Sequence, residues 1–172
     1  MVFKMGKSGL SIVEMISALL LMSILVLALN QVYALGLELW QEGLERNTAR
    51  NRLNQSVELI SRLLRQAKSI DAIDQGSVTF TADLGGGDTS YRFYLYNPSD
   101  AEPNPPYTQD TYELKFAQAD IGYGEGSVLA SDIEVPETAV FTQLSDLIVV
   151  DLTGKYSDQQ LTIRTNIGLR NL

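Results

Sequence analysis

Between Glu14 and Glu38 the chain runs for 23 residues without a charge. No other feature limits its fold so strongly. As a helix this run would measure roughly 34 Å at about 1.5 Å per residue, enough to cross the hydrocarbon core of a bilayer. Residues 10–29 hold twelve Leu, Ile and Val, with Ser11, Glu14, Ser17 and Ser23 as the polar interruptions. Each aliphatic residue favours insertion by about 0.3–0.6 kcal/mol, while one carboxylate near the end of a span costs a few kcal/mol, so insertion is expected. Lys4 and Lys7 precede the run and Glu38, Glu42 and Glu45 follow it. That asymmetry predicts a cytoplasmic N-terminus and an extracytoplasmic remainder.

The helix is not expected to stop at the membrane. The first proline is Pro98, and only Gly36 and Gly43 weaken the segment. Leu53, Val57, Ile60, Leu64 and Ala67 recur at spacings of 4, 3, 4 and 3, the apolar stripe of an amphipathic helix. The pattern predicts one helix from about Leu10 to Lys68. After Ile70 the period changes to two, and short β-rich runs are expected at 77–81, 91–96, 112–117, 139–142, 147–152 and 161–167. The connection 97–110 holds four of the five prolines and reads as a long surface loop. The expected fold class is therefore α+β: a long N-terminal helix whose second half packs on an antiparallel sheet. Four segments follow: a basic leader 1–9, an apolar half-helix 10–37, an amphipathic half-helix 38–70 and a β-rich domain 71–172.

Composition narrows the function. The chain has no Cys and no His. Disulfide scaffolds, Ser-His triads, histidine general bases and most zinc sites are thereby excluded, and no enzymatic activity or cofactor is expected. The net charge of -8 is unevenly placed. Residues 69–172 carry 16 acids against five bases, a balance of -11, whereas 10–68 carry five acids against six bases. Nucleic acid is not expected on the acidic part, because phosphate binding needs clustered Lys and Arg.

The most informative stretch is Lys7-Ser8-Gly9-Leu10-Ser11-Ile12-Val13-Glu14-Met15. A carboxylate inside an apolar span is costly and marks a functional position. An ordinary secretory signal places its small-residue cleavage site after the apolar stretch; here the candidate site precedes it, so the hydrophobic helix would be retained. This layout resembles the class III signal of type IV prepilins and type II secretion pseudopilins. The resemblance implies that a membrane aspartyl protease, the prepilin peptidase, cuts after Gly9 and methylates the new amine of Leu10. Glu14 then becomes the fifth residue, the one the family uses in assembly. The family usually has Phe or Met where this chain has Leu10. Major Gram-negative pilins also commonly carry a Pro where this chain has Gln31, and a C-terminal disulfide loop that a chain without Cys lacks. The run 59–67 with Ile70, the aromatic segment 91–96 and the ending 161–172 look more like PilW-like minor pilins and J-type pseudopilins.

The resemblance implies a minor pilin or pseudopilin built into a fibre near its tip, with the major subunit, other minor subunits, the inner-membrane assembly platform and membrane lipid as partners. A major pilin and a single-pass surface binding module remain the alternatives. Three lesser signals are weighed beside it. Gly85-Gly86-Gly87 and 122–126 suggest phosphate loops, but neither sits between a strand and a helix N-terminus, so both read as turns. Asp83 and Asp88 flank the first of them as calcium candidates, two carboxylates where calcium takes about six to eight oxygens, so no metal is expected. Tyr91, Phe93, Tyr94 and Tyr96 suggest a sugar platform, but alternating aromatics on a strand belong to the core and sheet surface.

A Cβ at residue 9 should obstruct passage of the chain past the protease. Gly9→Val is expected to leave a full-length membrane precursor, whereas the wild-type chain should lose residues 1–9 and gain one methyl. Intact-mass measurement of both proteins checks this.

Overall fold

The computed structural model describes residues 11–100, 107–135, 139–156 and 159–169. The chain falls into a first unit ending at Leu44 and a second unit, Glu45–Leu172. Its architecture is α+β. Helix α1 spans Ile12–Arg65. Eight strands follow: β1 (Ala67–Asp74), β2 (Ser77–Asp83), β3 (Asp88–Tyr96), β4 (Tyr112–Gln118), β5 (Ser127–Glu134), β6 (Phe141–Leu144), β7 (Leu147–Tyr156) and β8 (Gln159–Gly168). One 3-10 turn, Tyr123–Glu125, lies between β4 and β5.

The strands form one antiparallel sheet in the order β1-β2-β3-β4-β5-β7-β6, with β8 on the other side of β7. Neighbours in sequence are mostly neighbours in space, as short antiparallel connections require. The sheet curls into a half-barrel. At its far side Val140 N–H donates to Gln75 O at 2.7 Å, tying the segment before β6 to the β1–β2 turn.

The second half of α1 packs on this sheet. Leu53, Ile60, Leu63 and Leu64 are buried with Val78, Phe80, Phe93, Leu95, Leu114, Ile133, Ile148, Val150 and Leu152 in one cluster. The stripe read from the sequence supplies Leu53, Ile60 and Leu64, with Val57 half-buried beside them. Ser56 is also buried, its hydroxyl 2.9 Å from Arg52 O and 3.0 Å from Leu129 O of β5, so the helix is keyed to the sheet by a satisfied polar contact. Leu53 lies so close to β7 that a Cβ at Gly154 would sit 2.9 Å from its Cδ1.

Two expectations are corrected. The helix ends at Arg65 rather than Lys68, with Gln66 N–H donating to Leu63 O at 3.0 Å as the last turn tightens. Ala67 keeps its place in the core, but as the first residue of β1. The sheet also has two strands more than the six expected, β1 and β5. Both break the period of two. The β1–β2 pairing shifts register between Ala67 and Ser69 and again between Ile70 and Ala72. The β4–β5 pairing is likewise shifted, and Asp132 in β5 has a φ of 58°. Such bulges put successive side chains off their alternating faces and hide a strand from periodicity.

Behind β2 the ring of Tyr107 occupies the space over Gly76, where a Cβ would lie 1.9 Å from the phenol oxygen. Burial is the main cause that pushes the Tyr107 phenol up to about 12 from 10.0, with the Asp74 carboxylate adding to it. The folded state therefore holds the proton more tightly. This contribution to stability is fully present below pH 10 and is lost as pH rises through about 12. Tyr107→Phe should flatten that alkaline decline, measured as denaturation midpoints between the two values against wild type. Tyr94 and Tyr112, also raised by burial first, account for a residual slope.

Candidate functional site

The start of α1 is built from Ser11 and Glu14. Ser11 Oγ lies 3.4 Å from Val13 N, and the Glu14 carboxylate accepts the Ser11 N–H at 2.9 Å. Ser-x-x-Glu with this reciprocal arrangement is a capping box: both side chains satisfy backbone donors that the helix leaves open. The carboxylate also lies at the positive end of the helix dipole. Sequence reasoning marked Glu14 for its charge and missed its capping role, although Ser11 three residues earlier carried the signal. Gly9 and Leu10, the expected cleavage and methylation positions, lie outside the described residues.

Along the helix from this cap, two serine hydroxyls are satisfied locally. Ser17 Oγ donates to Val13 O at 2.7 Å and Ser23 Oγ to Leu19 O at 2.8 Å. The apolar side chains, in contrast, have no cover. Ile12, Leu19, Leu25, Leu29, Val32 and Trp40 are each 60% exposed or more. Among the described residues α1 is the one helix long and apolar enough to cross a membrane. Apolar surface left in water costs about 25 cal/mol per Å², so a stretch bare on all sides calls for lipid or for other apolar helices.

The other residues singled out by sequence belong to the β-rich part. The Asp83 carboxylate accepts Gly85 N–H at 3.0 Å and Gly87 N–H at 3.1 Å, and those backbone bonds, Gly85's first, lower its pKa. Gly85 and Gly87 have φ of 106° and 93°, left-handed values that glycine adopts without strain. Asp88 pairs with Lys68, and this hydrogen bond is the main cause that raises the lysine. Each carboxylate thus has a structural partner. Among the described residues no group of three or more Asp and Glu is placed to hold a metal.

The aromatic strand splits between two faces. Tyr91 and Phe93 stack with Phe116 and Phe80 on the inner face, with ring centroids 5.0 to 6.0 Å apart. Tyr94 points outward and is nevertheless buried. The segment 119–126 folds across it: Tyr94 OH donates to Tyr123 O at 2.6 Å, and the Arg92 guanidinium sits 3.8 Å from the Tyr123 ring centroid while donating to Ile121 O. Lys115 is buried beside them, its Nζ 3.1 Å from Gly124 O, 3.4 Å from the Glu113 carboxylate and 4.2 Å from the Tyr96 centroid. The glycines at 122–126 thus serve a latch over a cation–aromatic cluster, with Gly126 packed so close to Tyr94 that a Cβ would meet its hydroxyl at 2.3 Å. This cluster escaped the sequence because its members come from three separate segments.

No family model matches this chain, and neither the curated proteins nor the solved structures contain a match.

The capping box separates two properties of Glu14. Glu14→Gln keeps an acceptor and removes the charge, so the Ser11 amide should stay protected from hydrogen exchange in detergent micelles. Glu14→Ala removes the acceptor and should speed that exchange severalfold, in line with about 0.5–2 kcal/mol for a lost cap. Residue-resolved exchange on the uncleaved chain reads the difference.

Proposed function

We propose that this chain is a membrane-inserted precursor that becomes a fibre subunit, a minor pilin or pseudopilin. The prepilin peptidase would cut between Gly9 and Leu10 and methylate Leu10. The chain would wait in the inner membrane with its N-terminus cytoplasmic and its acidic domain outside. The assembly platform would then extract it into a type IV pilus or a secretion pseudopilus. What supports the reading is a helix exposed on all sides from Ile12 to Trp40, with a carboxylate in its first turn and Lys7-Ser8-Gly9 ending two residues before it in the sequence.

The cap supplies a physical route for Glu14 through both environments. In lipid, a carboxylate bonded to its own helix N-terminus is partly compensated, which lowers its insertion penalty. In a fibre, the apolar half-helices pack together and the methylated amine of a neighbouring Leu10 offers a full positive charge. An unpaired carboxylate would be strongly unfavourable there, so the pair fixes the stagger between subunits. The balance of -11 over residues 69–172 favours a minor position near a tip over a repeating one. Identical acidic domains stacked along a fibre would face like charge at every step, which salt screens only in part.

The test uses full-length chains expressed with their own fibre machinery. Ser11→Ala, which weakens the cap and keeps the charge, should assemble. Glu14→Gln, which keeps the cap and removes the charge, should insert in the membrane yet be depleted from sheared fibres at least tenfold. Equal incorporation of both would remove the charge-pairing role. A wild-type mature chain that still begins at Met1 would sink the fibre reading and favour a surface binding module. Quantitative mass spectrometry showing this chain as the dominant fibre protein would select the major-pilin alternative.

A further inference from the structure

We propose that the free edge of β8 accepts an extended strand from a different protein, one carrying a carboxylate where it passes Arg164. The β7–β8 ladder runs unbroken from Leu147↔Gly168 to Tyr156↔Gln159. On its other side β7 pairs with β6 through a two-residue turn between Leu144 and Leu147, and Asp151 N–H donates to Val140 O at 2.9 Å. The odd-numbered residues of β7 therefore direct their backbone groups toward β6, and the even-numbered ones toward β8. It follows that Leu161, Ile163, Thr165 and Ile167 bond to β7. Gln160, Thr162, Arg164, Asn166 and Gly168 direct their N–H and C=O groups outward. Among the described residues no strand pairs with that edge.

Exposed edges are normally blunted by proline, bulges or several charges. β8 has no proline, no register shift and a single charge, Arg164. The opposite edge strand, β1, is twice bulged and lies beside β6. β8 is thus a ten-residue template left open. Its inner face specifies half of what would fit. Leu161 and Ile163 are only partly buried, although both pack on the core cluster. A strand laid beyond them would cover them if it carried apolar residues at alternate positions.

Charge specifies the rest. Arg164 is exposed and lies in register with Asp151, yet makes no ion pair among the described residues. A second copy of the chain fits poorly: the antiparallel register that uses all five outward residues sets Arg164 directly against its own copy. Like charges facing each other across a ladder are unfavourable. A carboxylate at that position on a strand of another sequence is favourable instead.

The test takes the full chain in detergent micelles and an acetylated, amidated nine-residue peptide of alternating Thr and Val with one central Glu. Millimolar peptide should slow amide exchange at residues 160, 162, 164, 166 and 168 at least tenfold, with the odd positions unchanged. A matching peptide with central Lys should protect less, and Arg164→Glu should invert that preference. Asn166 is exposed and directs its N–H outward, so Asn166→Pro should keep the thermal melt and lose the protection. Unchanged exchange with both peptides would overturn the proposal. So would protection of the even positions that grows with protein concentration alone, because a second copy would then be the occupant.

Discussion

The burial of Ile60 and Leu64 inside the concave face of the sheet is the contact on which the second unit is organised. Both side chains are wholly removed from solvent, and the strands that receive them come from β2, β3, β4, β5 and β7. A sheet of this kind has one face to cover, and an amphipathic helix covers it with a single stripe. The cation–aromatic latch then seals part of the opposite face, so that Tyr94 is buried without belonging to the main core. The same helix also carries the apolar half, whose side chains are exposed.

That continuity places unlike demands on one backbone. Over the sheet, α1 needs polar residues on its outer side, and the arginines at 46, 50, 52, 62 and 65 are exposed as required. In the apolar half, water is the unfavourable neighbour, and hydroxyls must find partners within the helix, as Ser17 and Ser23 do. The capping box completes the pattern at the helix start, where it gives acceptors to the Ser11 and Val13 N–H groups that the helix leaves open. A single charged residue is tolerated there because its oxygen has a donor to face.

The α+β class was legible from the change of hydrophobic period near residue 70, since helix and strand patterns have different repeats. Leu53, Ile60 and Leu64 could be read as core for the same reason. β1 and β5 could not, because bulges and acidic residues at Asp71, Asp74 and Asp132 interrupt their alternation. At the helix start, charge and spacing pointed to Glu14, but the hydrogen bond to Ser11 depends on local geometry that composition does not carry. The latch was illegible for a different reason. Arg92, Lys115 and Tyr123 are joined by tertiary packing alone, and nothing in their local sequence separates them from ordinary surface residues.

The close approach of Leu53 to Gly154 bears on the order in which the chain can acquire its structure. β1 to β5 pair in sequence, so hairpin after hairpin can form as each strand becomes available, the connection 97–111 between β3 and β4 being the longest loop to close. The floor beneath Leu53 belongs to β7, about a hundred residues later, and such distant contacts carry the larger loop-closure entropy. Helix docking is therefore complete only once nearly the whole chain has emerged. Until then the stripe from Leu53 to Leu64 is exposed together with the unpaired edge of the growing sheet. A chain made from its N-terminal end passes through that sticky interval before β7 is available, and holding it apart from its neighbours falls to whatever factors surround it.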